Sequence, residues 1–105
     1  MSSAVSVNSI VVTTAAAGKG KKRGQATITV KDDCGVPVAN ANVFGAFSGS
    51  LSESVSGVTN ANGVETLLTN GSAGGTVSFT FCVTNITHAS LTYDSAANVE
   101  TCAHN

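Results

Sequence analysis

Hydrophobic and polar side chains alternate along much of this chain with a period of two residues. The alternation is clearest in residues 26–31, where Ala26, Ile28 and Val30 occupy one phase and polar side chains occupy the other. Residues 41–47 show the same alternation. A period of two is typical of a β-strand that buries one face and exposes the other to water. The two stretches therefore predict a pair of strands around which the rest of the chain is arranged.

The residues between these strands predict a tight turn. Asp32 and Asp33 tolerate turn conformations, and Gly35 supplies a positive φ without steric cost. Pro37, the only proline, fixes its own φ and favours an extended conformation of the residue before it. A second turn is predicted at residues 59–63, which read TNANG. This order of strand, turn, strand and turn indicates an antiparallel arrangement.

Most of the remaining chain divides into further short strands. We predict strands at residues 4–14, 51–58, 64–69, 76–84, 89–93 and 98–103. The phase of the first of these changes near Asn8 and Ser9, which indicates a bulge. Because no segment shows sustained helical periodicity, seven or eight short strands predict an all-β antiparallel sandwich. A single domain is expected to span residues 1–105, with its core at about residues 4–103.

The phases of the strands also predict which side chains form the core. Residues 76–84 form the strongest strand, and we expect Phe79 and Phe81 to lie at the centre of the core. The side chains predicted to be mostly buried are Ile28, Val30, Val43, Phe47, Val77, Phe79, Phe81 and Val83. Phe44 is out of phase with this set, so it is expected on an outer face.

The first strand pair and the second turn share a longer pattern, V-x-D-x-x-G-x-P-V-x-x-A-x-V followed by T-x-x-x-G. Its residues in this chain are Val30, Asp32, Gly35, Pro37, Val38, Ala41, Val43, Thr59 and Gly63. The pattern resembles the bacterial Ig-like domains, including the invasin/intimin type. Residues 79–102 look closer to Ig-like modules at the C-terminal ends of secreted bacterial hydrolases. The resemblance extends over about residues 24–102.

The resemblance implies an Ig-like sandwich and a class of role. Such modules occur as spacers, adhesive units and accessory domains, and the family has no shared catalytic residues. We therefore expect a non-catalytic accessory or spacer module of a larger secreted bacterial protein, which supports or attaches a partner domain. The alternative is a module that binds polysaccharide or another surface polymer.

Composition and charge narrow the classes of function. Charged residues make up 10% of the chain, and the net charge of −1 provides no global field that favours nucleic acid. No stretch approaches the roughly 18 apolar residues of a membrane helix. Met1 is not followed by the basic start and apolar run of a signal peptide. We therefore expect a secreted domain excised from a longer protein, with Met1 as an expression start.

The sequence offers no convincing catalytic or cofactor site. A nucleophile triad needs a histidine and a carboxylate beside a serine or cysteine, but only His88 and His104 are present and there is no G-x-S-x-G elbow. The three cysteines lack the paired spacing of zinc ligands. Weak calcium candidates are Asp32, Asp33 and Asp94, of which the first two are interpreted more readily as turn residues. We therefore expect neither enzymatic activity nor a cofactor.

Two features of the sequence are candidates for binding. Residues 15–24 form a glycine-flanked basic loop that holds four of the five basic residues: Lys19, Lys21, Lys22 and Arg23. We interpret this loop chiefly as a solvated hairpin tip that discourages edge aggregation, and the alternative is a patch for anionic polymers. Phe44 and Tyr93 are the aromatic side chains available to a polysaccharide, although Tyr93 is expected to be a partly buried loop anchor.

Strand phases favour a disulfide between Cys82 and Cys102. Each of these cysteines lies on the water-facing side of its predicted strand. In an Ig-like sandwich these strands are antiparallel neighbours, so a connection at about residues 85–99 places the two cysteines nearly opposite each other. Cys34 sits in a turn beside the other sheet and is expected to be free or to pair with another chain. Such a bridge indicates an oxidising compartment and hence an extracellular protein.

Overall fold

The computed structural model describes residues 3–105 and consists almost entirely of β-strands. The strands are β1 (Ala4–Gly18), β2 (Lys21–Asp32), β3 (Asn42–Gly49), β4 (Glu53–Val58), β5 (Val64–Leu68), β6 (Ala73–Gly74), β7 (Phe79–Thr87), β8 (Thr92–Tyr93) and β9 (Cys102–His104). One 3₁₀ turn, Ser95–Ala97, lies between β8 and β9. None of the described residues belongs to a helix long and apolar enough to cross a membrane.

The strands form two sheets packed as a sandwich. The first sheet has the order β5-β2-β1-β8, with β6 paired to the start of β2. The second sheet has the order β4-β3-β7-β9. Every pair of strands is antiparallel except β1 with β8. The predicted all-β sandwich is confirmed. The described residues form nine strands instead of seven or eight, because the two-residue β6 lies between the strands predicted at residues 64–69 and 76–84.

Strands β1 and β2 form a long hairpin in a molecule that measures 49 × 23 × 18 Å. The prediction of a basic loop at residues 15–24 is wrong, because both strands continue through most of it and the turn is confined to Lys19 and Gly20. Lys19 in this turn has a φ of 52°, between Gly18 and Gly20 at 85° and 75°. Residues 16–22 are exposed on both phases. Without a buried face they show no period-two signal, which explains the missed strands.

The predicted bulge in β1 is confirmed. The pairing of β1 with β2 shifts register between Val7 and Ser9. Val5 and Val7 are buried before the shift, and Ile10 and Val12 are buried after it. One extra residue therefore keeps the apolar side chains on the inner face through the whole strand.

Three phenylalanine rings fill the centre of the sandwich. The Phe47 ring meets the Phe79 ring edge to face at a centroid distance of 6.3 Å, and it meets the Phe81 ring at 4.9 Å. Two strand glycines make room for these rings. A Cβ on Gly45 would lie 2.7 Å from Cε1 of Phe81, and a Cβ on Gly24 would lie 3.0 Å from Cδ1 of Phe79. Gly24 of β2 thus lets the first sheet approach the Phe79 ring, and Gly45 of β3 gives the Phe81 ring room within the second sheet.

The predicted core is confirmed for seven of its eight side chains, and Val77 is half-buried instead of buried. The reason is that β7 begins at Phe79 and not at residue 76. Ser78 is held by a turn instead: its N–H donates to Oγ of Ser50 at 2.9 Å, and its carbonyl accepts the N–H of Ser50 at 2.8 Å. At its other end β7 continues to residue 87 and buries Ile86.

The last two predicted strands are displaced in the structure. The strand predicted at residues 89–93 shortens to β8, which pairs in parallel with Ala4 and Val5 of β1. The closing strand predicted at residues 98–103 is observed as β9. Asn98 and Glu100 bond to β1 instead of to β7, so pairing with β7 begins only when the chain has crossed to the second sheet.

The predicted disulfide is confirmed. Cys82 of β7 and Cys102 of β9 lie directly opposite each other with a Cα–Cα separation of 4.0 Å. The next pair along carries a backbone hydrogen bond of 2.9 Å from Val83 N–H to Thr101 O, which makes the cysteines a closely spaced non-hydrogen-bonded pair. Cys34 is exposed and free. The bridge thus joins the last strand to the central strand β7.

Truncation of Phe79 tests the aromatic packing. Phe79→Ala leaves a cavity between the sheets, so we expect the free energy of unfolding to fall by about 3–5 kcal/mol in urea titrations. Phe44→Ala is the matched control, because it removes the same atoms from a side chain that is 38% exposed on the outer face. We expect the control to lose much less. Equal losses in the two variants would contradict the assignment of inner and outer faces.

Removal of the disulfide tests the closure of the sandwich. The bridge spans a sequence separation of 20 residues, for which the chain-entropy model gives about 3 kcal/mol. We expect the Cys82→Ser/Cys102→Ser variant to lose stability of this order, while Cys34→Ser leaves it unchanged. Peptide mapping without reductant should find Cys82 linked to Cys102. A link from Cys34 to either would refute the pairing.

Candidate functional site

Three lysines surround the tip of the β1–β2 hairpin. Lys19 occupies the turn, and Lys21 and Lys22 begin β2, where they pair with Gly74 and Ala73 of β6. All three lysines are exposed. Consecutive residues of a strand point to opposite faces, so the charges of Lys21 and Lys22 lie on opposite sides of the hairpin. This distribution of the lysine charges over two faces favours a solvated hairpin tip over a single flat patch that binds an anionic polymer.

Arg23 is set apart from the three lysines. Its guanidinium Nε donates a hydrogen bond of 2.6 Å to the carbonyl of Thr69, and the side chain is half-buried. Thr69 is itself fully buried, and its Oγ1 accepts the N–H of Gly24 at 3.0 Å. Arg23 therefore ties β2 to the segment after β5, and the structure does not place it with the lysines as a surface group.

The two candidate aromatic side chains lie on different surfaces. Phe44 lies on the outer face of β3, in a shallow depression bordered by Ser54, Ser56 and Thr84. Tyr93 is half-buried in β8, and its hydroxyl accepts a hydrogen bond of 2.7 Å from Nδ2 of Asn98. The expectation that Tyr93 is a partly buried anchor is confirmed. Among the described residues, the two rings do not form a shared platform for a sugar.

A cleft beside Tyr93 contains His88, and the contacts of its imidazole are structural. Nε2 of His88 lies 3.1 Å from the carbonyl of Ala39, and Nδ1 accepts the N–H of Ser90 at 3.0 Å. An Nδ1 that accepts leaves the proton on Nε2, which then donates to Ala39. Both ring nitrogens thus join loops.

The calcium candidates separate into two places. The carboxylates of Asp32 and Asp33 lie with Cys34 in one turn, where their ligand atoms are within 4.8 Å of one another. Asp32 Oδ1 accepts the N–H groups of Cys34 and Val36, each at 2.9 Å. Asp94 lies elsewhere and accepts the N–H of Ala96 at the start of the 3₁₀ turn. The Asp32 and Asp94 carboxylates therefore serve as turn and cap acceptors.

Asp33 holds the beginning of the described chain. Its Oδ1 accepts the N–H of Ser3 at 3.1 Å, and its Oδ2 lies 3.3 Å from the hydroxyl of the same residue. The backbone hydrogen bond from Ser3 is the largest cause of the lowered pKa of Asp33. Asp33 is therefore held as a carboxylate that fastens residue 3 to the turn after β2.

Glu53 forms a clamp between the sheets that the sequence did not reveal. Its two carboxylate oxygens accept the N–H groups of Asn70 and Gly71 at 2.7 and 2.8 Å. These bonds, led by the one from Asn70, lower the pKa of Glu53, and the charge of Arg23 adds to the effect. Glu53 begins β4 of the second sheet, whereas Asn70 follows β5 of the first. Its weakly alternating strand gave no sign of this distant partner.

A second unforeseen clamp joins the C-terminal segment to β1. Asn98 Oδ1 accepts the N–H of Val7 at 2.8 Å, and Glu100 Oε1 accepts the N–H of Ile10 at 3.0 Å. Between them, Val99 N–H donates to the carbonyl of Val7 at 2.9 Å. Together these groups complete the edge of β1 on both sides of its bulge. The predicted bulge was the available signal, because a disrupted edge needs acceptors from another part of the chain.

The clamp made by Glu53 predicts a specific dependence of stability on pH. The folded state holds the pKa of Glu53 below its ordinary value of 4.5. The stabilisation is therefore fully present above that value and is lost as the pH falls through the lower pKa of the folded state. We expect Glu53→Gln to be less stable than the parent chain at pH 7, and the gap to narrow as the pH falls below about 4.5.

Urea unfolding of both chains between pH 7 and pH 3 measures this gap, and the shared contribution of Asp33 cancels in the difference. Glu65→Gln is the matched control for loss of one charge, because that carboxylate accepts the N–H of its own neighbour, Thr66. A gap between the parent and Glu53→Gln that stays constant with pH would contradict the clamp.

Comparison with known proteins identifies no relative of this chain. Comparisons of the chain with protein-family profiles, with curated protein sequences and with solved structures find no match. The Ig-like resemblance therefore stays a prediction, and the arguments about function depend on the geometry of this chain.

Proposed function

We propose that the chain is a non-catalytic, Ig-like accessory module that holds neighbouring parts of a larger secreted bacterial protein apart. The observation that carries the proposal is the separation of the two ends of the described chain along the strands. Ser3 is fastened to Asp33, beyond the start of β1. Asn105 bonds to Phe79 at the other end of the sandwich, where its N–H donates to the Phe79 carbonyl at 3.2 Å.

The strand register gives the scale of this separation. Phe79 packs against Gly24, which pairs with Thr14 of β1. Asn105 is therefore level with about Thr14, ten residues along β1 from Ala4. At about 3.3 Å per residue, the two ends are about 33 Å apart along the strand axis. A segment attached at one end is thus kept away from a segment attached at the other.

Covalent and polar contacts make this spacing stiff at the C-terminal end. The disulfide of Cys102 joins β9 to β7, and the side chain of Asn105 accepts the N–H of Phe79 at 2.8 Å. Force applied beyond Asn105 is thereby passed to a central strand of the second sheet. A spacer needs this property, whereas a flexible tail does not.

The Ig-like part of the proposal draws support from the residues that carry the resemblance, because they meet in one place. Thr59 Oγ1 donates to the carbonyl of Val38 at 2.7 Å and accepts the N–H of Ala41 at 3.0 Å. The carbonyl of Gly63 accepts the N–H of Val30 at 2.8 Å, and a Cβ on Gly63 would lie 2.6 Å from the carbonyl oxygen of Val30. The spaced pattern thus describes one set of mutually dependent contacts.

Secretion is proposed from two properties of the chain. The Cys82–Cys102 disulfide is compatible with an extracellular location, because such bonds persist in oxidising compartments. The second property is composition: charged residues make up only 10% of the sequence, and such a low share is in keeping with the proposed extracellular β-module.

Single-molecule energy transfer tests the spacer. Dyes are attached at position 3 and just after residue 105 by chemistry that does not use cysteine. We expect a narrow distribution of distances centred between about 30 and 40 Å from the strand geometry. A flexible glycine–serine chain of the same length is the control, with a broad distribution near 55 Å. A broad distribution for the module, or ends in close contact, would refute the proposal.

Affinity electrophoresis through gels that contain soluble polysaccharides separates the spacer from a binding module. We expect the same mobility with and without polysaccharide. Retardation that disappears in Phe44→Ala or Tyr93→Ala would instead favour polysaccharide binding as the function.

A further inference from the structure

Residues 11–18, the second half of β1, lie at an unpaired edge of the first sheet, which we call the free edge. The first half of the same edge is covered, because β8 pairs with Ala4 and Val5 and the C-terminal segment bonds to Val7 and Ile10. Coverage stops at Ile10. We propose that two copies of the chain pair through their free edges as an antiparallel, two-fold symmetric dimer that continues the first sheet.

The direction of the backbone groups follows from the hydrogen bonds on either side of the hairpin. Ile10 directs its N–H away from β2, toward Glu100. Gly24 of β2 directs its N–H and carbonyl away from β1, toward Thr69. Because this direction alternates along a strand, Val12, Thr14 and Ala16 direct their N–H and carbonyl groups outward. No partner for these groups is found among residues 3–105.

The outward residues of the free edge lack the features that normally prevent pairing between strands. The sequence VVTTAAAG contains no charge and no proline, and the ladder with β2 is regular from Ser9 to Ala16, with a register shift only at the end of the edge, between Ala16 and Gly18. Protective features in natural sheets are charges, prolines, bulges and covering segments. The edge of β5 has one such feature, because the Glu65 carboxylate accepts the outward N–H of Thr66. The free edge of β1 is therefore competent for a strand partner.

A second copy matches this edge in length. With the two-fold axis at Thr14, Val12 of each copy lies opposite Ala16 of the other, and the two Thr14 residues face each other. Each of these three pairs exchanges two backbone hydrogen bonds. The match ends where the C-terminal segment covers Ile10 and where the hairpin of the second copy turns at Gly18. The pairing therefore closes as a dimer and does not extend into a fibre.

The charges at the two ends of the match are complementary. In this arrangement the hairpin tip of each copy, with Lys19, meets the segment of the other that holds Glu100 beside Ile10. The dimer thus forms two symmetric contacts between an ammonium group and a carboxylate. A strand of an unrelated protein would carry a cation at this position only by coincidence. The charge complementarity therefore favours a second copy as the occupant.

Sedimentation equilibrium of the Cys34→Ser chain measures the association without a covalent dimer through Cys34. An interface of one strand pair is small, so we expect the dimer fraction to rise between about 10 μM and 1 mM. Lys19→Glu should weaken the dimer about threefold to tenfold by placing like charges together, and Glu100→Gln in the same chain should restore part of the loss. Lys22→Glu is the matched control, with the same change of charge on β2 away from the free edge, and should leave the affinity unchanged.

Amide hydrogen exchange provides a readout at single residues in the parent fold. The N–H groups of Val12, Thr14 and Ala16 should gain protection as the concentration rises, while the exposed amide of Asn62 should not. Thr14→Pro removes one outward donor without removing a bond of the β1–β2 ladder, and it should abolish the dimer. A monomer at all concentrations, a dimer that needs Cys34, an open-ended polymer, or equal effects of Lys19→Glu and Lys22→Glu would each refute the proposal.

Discussion

The two sheets close on each other because three phenylalanine rings meet backbone that carries no side chain. Phe81 occupies the space that a Cβ on Gly45 would need, and Phe79 and Phe47 approach Gly24 in the same way. The rings belong to β3 and β7, whereas Gly24 belongs to β2 of the opposite sheet. The spacing of the sandwich and the burial of the smaller valines and isoleucines around the rings depend on this fit.

Polar side chains complete the margins that this apolar core leaves open. The Thr59 hydroxyl accepts the N–H of Ala41, the Glu53 carboxylate joins the start of β4 to the segment after β5, and the Asn98 side chain accepts the N–H of Val7 beside the bulge of β1. Each acceptor lies where a strand ends or loses its regular partner, so each replaces a backbone bond that the ladder does not supply. In a domain with few charges, these side-chain acceptors stabilise the ends and irregular parts of the strands through hydrogen bonds to backbone N–H groups.

The same margins determine what the surface is available for. The candidate aromatic rings lie apart, the histidine in the cleft is engaged by loops, and two of the candidate carboxylates serve as turn or cap acceptors. These placements engage the candidate groups in contacts within the domain, whereas the outward backbone groups of the free edge of β1 have no partner among residues 3–105. The proposed spacer role uses the two ends of the strands and the proposed dimer uses one sheet edge, so the two proposals are compatible.

The alternation of residues 26–31 and 41–47 by itself determined the strand pair, and the phases of the strands determined the bulge, the pairing of Cys82 with Cys102 and all of the predicted core except Val77. Those features are local, because a buried face forces a period of two wherever it exists. Only the tertiary structure decided that residues 15–24 continue the hairpin, because a strand without a facing sheet shows no such period.

The remaining contacts join residues that are far apart in the sequence, and local patterns did not predict them. The tertiary structure alone decided that residues 98–100 bond to β1, and that Glu53 reaches Asn70, because an acceptor in the sequence does not show which distant N–H it will meet. The candidate binding residues were recognised as types, but their separation onto different faces follows from the order of strands in two sheets, which no local pattern specifies.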